Sequence, residues 1–180
     1  MNAADLAAIK AIHRELNIPA DYAFNRGLTP QLNVAETNLV TIAIKSDGGW
    51  VQLTKVAASA WDEMVKSAST ANVILMPLSG FRSYTHQAEI IRRKLNNGQL
   101  IGNILTAIAA PGYSEHHTGM ALDIGTESDP PLEESFAHTV AFRWLQSHAN
   151  SFGFRMSYPR ENRHGMVYEP WHWCWHESSD

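Results

Sequence analysis

Ser114-Glu115-His116-His117-Thr118-Gly119-Met120-Ala121-Leu122-Asp123 decides how the rest of the chain is read. From Gly119 to Ile124, small or polar side chains alternate with large apolar ones. A strand sends successive side chains to opposite faces. Gly119, Ala121 and Asp123 therefore share one face, and Met120, Leu122 and Ile124 the other. The large face packs into a core, while the small face leaves room beside a single carboxylate, as in a strand that borders an occupied cleft. Glu169-Pro170-Trp171-His172-Trp173-Cys174-Trp175 alternates in the same way, with the tryptophans on one face and His172 and Cys174 on the other. His116, Asp123 and His172 together form a set of nitrogen and oxygen ligands. Catalytic zinc commonly takes three protein ligands and keeps a fourth position for water.

Glu169 stands three residues before His172. That spacing brings its carboxylate near a metal-bound water without obliging it to ligate, so it is assigned as general base and then proton donor to a leaving amine. Arg82 follows the continuously apolar run Val73 to Leu78, which reads as a buried strand. The turn after it presents a guanidinium suited to a substrate carboxylate or a developing oxyanion. Each residue has an ordinary alternative: a loop histidine for His116, a strand-end cap for Asp123, and surface charges for Glu169 and Arg82. Their joint pattern favours the metal. His117 is expected behind the ligands or exposed. Cys174 is expected as a small buried side chain, although a thiolate there would close the coordination sphere and make the site structural. The tryptophans read as core, with Trp171 at the edge of a substrate cleft.

Ser-x-His-x-x-Gly-x-Ala-x-Asp followed by Glu-Pro-Trp-His resembles the VanY-like D-alanyl-D-alanine carboxypeptidases. That family belongs to the metallopeptidase superfamily shared with lysostaphin-type enzymes and the hedgehog signalling domain. Ser79-Gly80-Phe81-Arg82-Ser83-Tyr84, with Gln87, is similar to the family's Gly-Tyr-Arg-Ser segment. The resemblance runs from about Leu53 to Trp175, and the first 50 residues carry no match. It implies Zn2+ as cofactor, a peptidoglycan stem peptide as substrate, and loss of a terminal D-alanine. It also implies substrate-side positions for Gln87 and Ser114. D,D-carboxypeptidase, L,D-carboxypeptidase, D,D-dipeptidase and endolysin-like endopeptidase all fit. Arg82 with Gln87 favours a free carboxylate and hence an exopeptidase. A non-catalytic zinc-bearing binding domain is the alternative of another class, and Glu169 argues against it because a structural metal has no use for a neighbouring base.

A chain of 180 residues is expected to form one domain. Hydrophobic residues at 44% and charged residues at 18% describe an ordinary globular protein. A net charge of −4 with no Lys/Arg block speaks against a nucleic-acid partner. Cys174 is the sole cysteine, so no internal disulfide forms. The start Met1 to Asp5 has no basic or apolar leader pattern, and runs such as Leu39 to Ile44 are too short to span a bilayer. As written, the chain is expected in the cytoplasm, with periplasmic or secreted action as the alternative. Its oligomeric state is not readable.

The patterns predict a helix over 4–16, a loop over 21–30, and strands over 39–44 and 50–53 joined at Asp47-Gly48. Thr54 is expected to cap a helix with Ala57, Trp61, Met64 and Ala68 inward, and Ser83 or Thr85 to cap another ending at Gly98. Residues 101–110 read as helix or loop, 128–134 as loop, 137–148 as helix, 154–158 as strand and 159–165 as loop. Without a βαβ rhythm the fold class is α+β: one domain with a small central antiparallel sheet flanked by helices. The resemblance makes it hedgehog/D,D-peptidase-like. Residues 1–50 are expected as an N-terminal helix and extension packed on a zinc peptidase core, 51–180.

Overall fold

Thr54 sits where a short hairpin gives way to the longest helix, and its hydroxyl accepts a hydrogen bond from the Ala57 amide. The structure, a computed structural model, describes residues 3–177; Met1 and Asn2, on which part of the leader reading rests, lie outside the described residues. The hairpin pairs β1 (Leu39–Ile44) with β2 (Trp50–Thr54) antiparallel around the expected turn. Helix α3 (Lys55–Thr70) follows and buries the predicted stripe of Ala57, Trp61, Met64 and Ala68.

The central sheet has four strands in the order β3-β4-β6-β5, every neighbour antiparallel. These are β3 (Met76–Ser79), β4 (Ala121–Gly125), β5 (Phe154–Met156) and β6 (His172–Trp175). Leu122 and Ile124 of β4 and Trp173 of β6 join α3 and α6 (Val140–His148) in the main core, with Phe136 and Phe154. Fully burying each such side chain contributes roughly 1.5–3 kcal/mol. A second cluster ties α1 (Ala3–Glu15) and α2 (Tyr22–Asn25) to α4 (Tyr84–Asn96) and α5 (Ile101–Ala107) through Leu16, Tyr22, Ile91 and Ile104. Arg92 and Glu15 add a surface ion pair between α4 and α1. The α+β architecture with a small antiparallel sheet is as expected from the sequence.

Several boundaries differ. The run over 73–78 pairs only from Met76, because its partner β4 ends opposite at Gly125. Val73 and Leu75 are buried before the strand starts, whereas Met76 is exposed. The stretch over 21–30 contains the short helix α2 rather than loop alone. The helix expected over 137–148 begins at Val140, capped by Thr139, after a 3₁₀ turn at Glu134–His138. Gly119 precedes β4 rather than joining it: at φ +67° it ends a 3₁₀ turn, Glu115–Thr118, in the left-handed region that favours glycine.

Candidate active site

The pairing of β4 with β6 places Asp123 opposite His172. The 3₁₀ turn before β4 brings His116 beside them. One donor atom from each of the three lies within 4.8 Å of the others, and all three residues are buried. His116 Nε2 is 3.3 Å from Asp123 Oδ2, and His172 Nδ1 is 3.1 Å from Asp123 Oδ1.

The outer nitrogens decide whether this is a cation site. His116 Nδ1 donates to the carbonyl of Gly80 at 2.7 Å, which leaves Nε2 with a lone pair. That Nε2 is buried and has no hydrogen-bond partner, though it faces a carboxylate oxygen. Two acceptors held face to face away from water are unfavourable unless a cation lies between them. A ligating imidazole that donates its other N–H to a carbonyl or carboxylate is the usual arrangement around a bound metal. The residues fit zinc.

Gly80 reaches this position only because it lacks a side chain. A Cβ there would lie 2.2 Å from the Gln52 carbonyl oxygen of β2, which accepts from the Phe81 amide. Arg82 comes next, with Nη2 3.6 Å from Asp123 Oδ2 and a buried Nε that has no partner. Its amide donates to the His116 carbonyl and its own carbonyl accepts from His117 Nδ1, so loop and turn are laced together. His117 also accepts the Gly112 amide at Nε2. It is fully buried behind the ligands. Burial pushes its imidazole down to about 4.

Glu169 lies on the strand-side turn, its Oε2 4.0 Å from His172 Nδ1. Burial pushes its carboxyl up to about 7, against the pull of His172. Burial alone would raise Asp123, yet His116 and His172 hold it well below the carboxylate range. Burial and then Arg82 lower His116 to about 4. Burial would lower His172 too, but Asp123 and Glu115 raise it to about 10.

A cleft of about 590 Å³ is lined by Arg82, Gln87, Ser114, His116, Asp123, Glu169, Trp171 and His172, so every residue assigned to the site from the sequence borders it. Gln87 Nε2 donates to the Ala109 carbonyl at 2.7 Å, and its Oε1 is buried with no partner. Ser114 is buried at the start of the 3₁₀ turn. Cys174 is buried opposite Ala121 and stands outside the ligand group.

Sequence reasoning missed four features. Glu115 accepts from His172 Nε2 at 2.8 Å and from the Ser157 hydroxyl at 2.6 Å. Burial opposes its ionisation, and those two bonds outweigh it, holding the carboxyl down at about 2. The Tyr158 ring packs 4.9 Å from the His172 ring. The Gly80 carbonyl sets a ligand's tautomer, and Lys45, Arg93 and Lys94 form a basic outer wall of the cleft. Only the Glu beside a candidate ligand offered a signal in sequence.

A histidine-aspartate-histidine set with a separate buried carboxylate, in a cleft over an antiparallel sheet, is a site of the metallopeptidase type. The chain belongs to the VanY family, D-alanyl-D-alanine carboxypeptidase, whose family model matches residues 51–178. The YodJ protein of Bacillus subtilis (strain 168), a carboxypeptidase by name, is 37% identical over 122 residues, covering 66% of this chain and 44% of that protein. The chain thus spans less than half of that relative's length. In structure it is similar to the LdcB LD-carboxypeptidase, with TM-score 0.70 and 31% identity over 79% of this chain and 70% of that one. It also shares its fold with the vancomycin-resistance D,D-pentapeptidase VanY, solved as a mutant in complex with Zn(II). That match has TM-score 0.60 and 23% identity, covering 82% and 85% of the two chains. Among the described residues, no helix is long and apolar enough to cross a membrane.

Proposed function

We propose that this chain is a zinc-dependent carboxypeptidase that releases a terminal D-alanine from peptidoglycan stem peptides, as a D,D- or L,D-carboxypeptidase. The observation that carries the reading is the convergence of His116, Asp123 and His172 beside Glu169 in one cleft. His116, Asp123 and His172 would hold the zinc. When bound there, zinc lowers the pKa of a water to about 7 and polarises the scissile carbonyl. Glu169 takes the proton from the attacking water and returns it to the leaving amine. A carboxyl pushed up to about 7 is matched to accepting and releasing a proton near neutrality.

Arg82 takes the terminal carboxylate, for which its unpartnered Nε is available. Gln87 gives one amide N–H to Ala109, and its buried, unpartnered Oε1 is placed to receive a substrate N–H. Ser114 and Trp171 line the walls against the peptide. The basic outer wall of Lys45, Arg93 and Lys94 suits an anionic peptide.

Tripeptide, tetrapeptide and pentapeptide stems, incubated with and without a chelator, test the reading. Release of D-alanine should stop with the chelator and return with zinc. Glu169→Gln should keep the metal and lose roughly 10²–10⁴ in kcat. Cleavage that survives chelation would sink the mechanism. Metal and peptide binding without hydrolysis by the unaltered chain would instead assign a binding domain.

A further inference from the structure

Glu115 and His116 are neighbours in one turn, yet they line different cavities. His116 lines the cleft described above, whereas Glu115 lines a second hollow of about 520 Å³ with Ser157, Tyr158 and Arg155. The His172 ring stands between them, with Nδ1 towards Asp123 at 3.1 Å and Nε2 towards Glu115 at 2.8 Å. Glu115 Oε2 is in turn held by the Ser157 hydroxyl at 2.6 Å, from the segment just after β5. The His172 side chain is 4% exposed and that of Glu115 22%, so water reaches the carboxylate but not the ring.

A neutral imidazole carries its proton on one nitrogen or the other, and the partner of the second nitrogen decides which. Between two carboxylates the metal-free ring holds a proton on each nitrogen; once a metal takes the place of the Nδ1 proton, Glu115 keeps the remaining one on Nε2 and leaves the Nδ1 lone pair on the ligand side. Without an acceptor at Nε2, the proton is free to settle on Nδ1, where Asp123 would receive it. The ligand atom would then be a donor aimed at the metal position. The Gly80 carbonyl performs the same service for His116 from the opposite nitrogen, but as a neutral group.

We propose that Glu115, seated on Ser157, is a positioning residue that fixes the Nε2–H tautomer of His172 and thereby holds Nδ1 ready to ligate. This rests on the zinc reading given under the proposed function. A carboxylate acceptor also makes the imidazole a better ligand, and loss of such a partner typically weakens metal binding by about 10- to 100-fold.

The test strips the full chain of metal and titrates it with zinc against a chromogenic chelator. It uses the unaltered chain, Glu115→Ala, Glu115→Gln and Ser157→Ala, with thermal melts of each stripped protein as a folding control. Glu115→Ala should bind zinc about 10- to 100-fold more weakly. Glu115→Gln, whose amide oxygen still accepts, should recover most of that loss, and Ser157→Ala should fall between. In nitrogen-edited NMR of the zinc-loaded protein, the His172 Nε2–H proton should persist in the unaltered chain and be lost to exchange in Glu115→Ala. A folded Glu115→Ala that binds zinc within twofold of the unaltered chain overturns the proposal. If Glu115→Ala does not fold, absence of a persistent His172 Nε2–H proton in the unaltered zinc-loaded chain overturns it. An unaltered chain that binds no zinc overturns the metal reading itself, and the two failures are told apart in that single lane.

Discussion

Gly80 illustrates how much of this site depends on one missing carbon. The Gln52 carbonyl lies where its Cβ would be, and the Gly80 carbonyl is the acceptor that turns the His116 lone pair inward. Gly80→Ala forces that backbone apart. We expect a lower melting temperature together with zinc affinity weakened by about 10-fold or more, read by chelator competition. Equal affinity in a folded Gly80→Ala would mean that the carbonyl does not orient the ligand. At this scale the meeting of His116, Asp123 and His172 beside Glu169 was legible because strand alternation and a three-residue offset are local patterns. Glu115 was not, since its partners Ser157 and His172 lie 42 and 57 residues away. In sequence only its place next to His116 hints at a role. Gln87 borders the cleft, but the direction of its amide depends on the Ala109 carbonyl, which only the fold supplies.

Elements were legible wherever their ends carry a chemical signal. Thr54 carries a cap signal in sequence, and Ser83 shares one with Thr85. The Thr54 and Ser83 hydroxyls accept from the Ala57 and His86 amides at 3.4 and 3.1 Å. Replacing Ser83 by alanine should cost about 1 kcal/mol in urea denaturation, and by glycine only a few tenths. Equal costs for the two would mean that the hydroxyl is not the stabilising group. Thr54→Ala should follow the same rule. The 3₁₀ turn at Glu134–His138 and helix α2 were illegible for a different reason, being four or five residues long, too short for a period of 3.6 to declare itself. Strand β3 was displaced because apolar content marks burial, whereas pairing depends on where its partner stops.

The whole molecule places a buried, neutral histidine at the junction of its loops. His117 spends both nitrogens, one on the Arg82 carbonyl and one on the Gly112 amide, so protonation would break the second bond. Its folded pKa of about 4 lies below the ordinary value of 6.5. A depressed pKa means that its contribution to stability is present above pH 6.5 and is lost as pH falls towards 4. Denaturation midpoints should therefore drop through that window by an amount on the order of 1–3 kcal/mol. A proton NMR titration should find the His117 ring neutral down to about pH 4. A midpoint near 6.5 would show that the buried network does not hold it. The class of fold was legible at this scale from the absence of a βαβ rhythm. The partition into two apolar clusters was not, because helix α1 meets α4 across a long stretch of chain, as the Arg92–Glu15 pair 77 residues apart shows.

The sheet's borders carry a last consequence. Its outer strands are β3, four residues long with Pro77 inside it, and β5, three residues long with Arg155 exposed. Proline offers no amide hydrogen, and strands this short offer few free groups to a newcomer. A neighbouring polypeptide therefore finds no template to extend, and the sheet that carries the ligands is guarded against fibre-like stacking at high concentration.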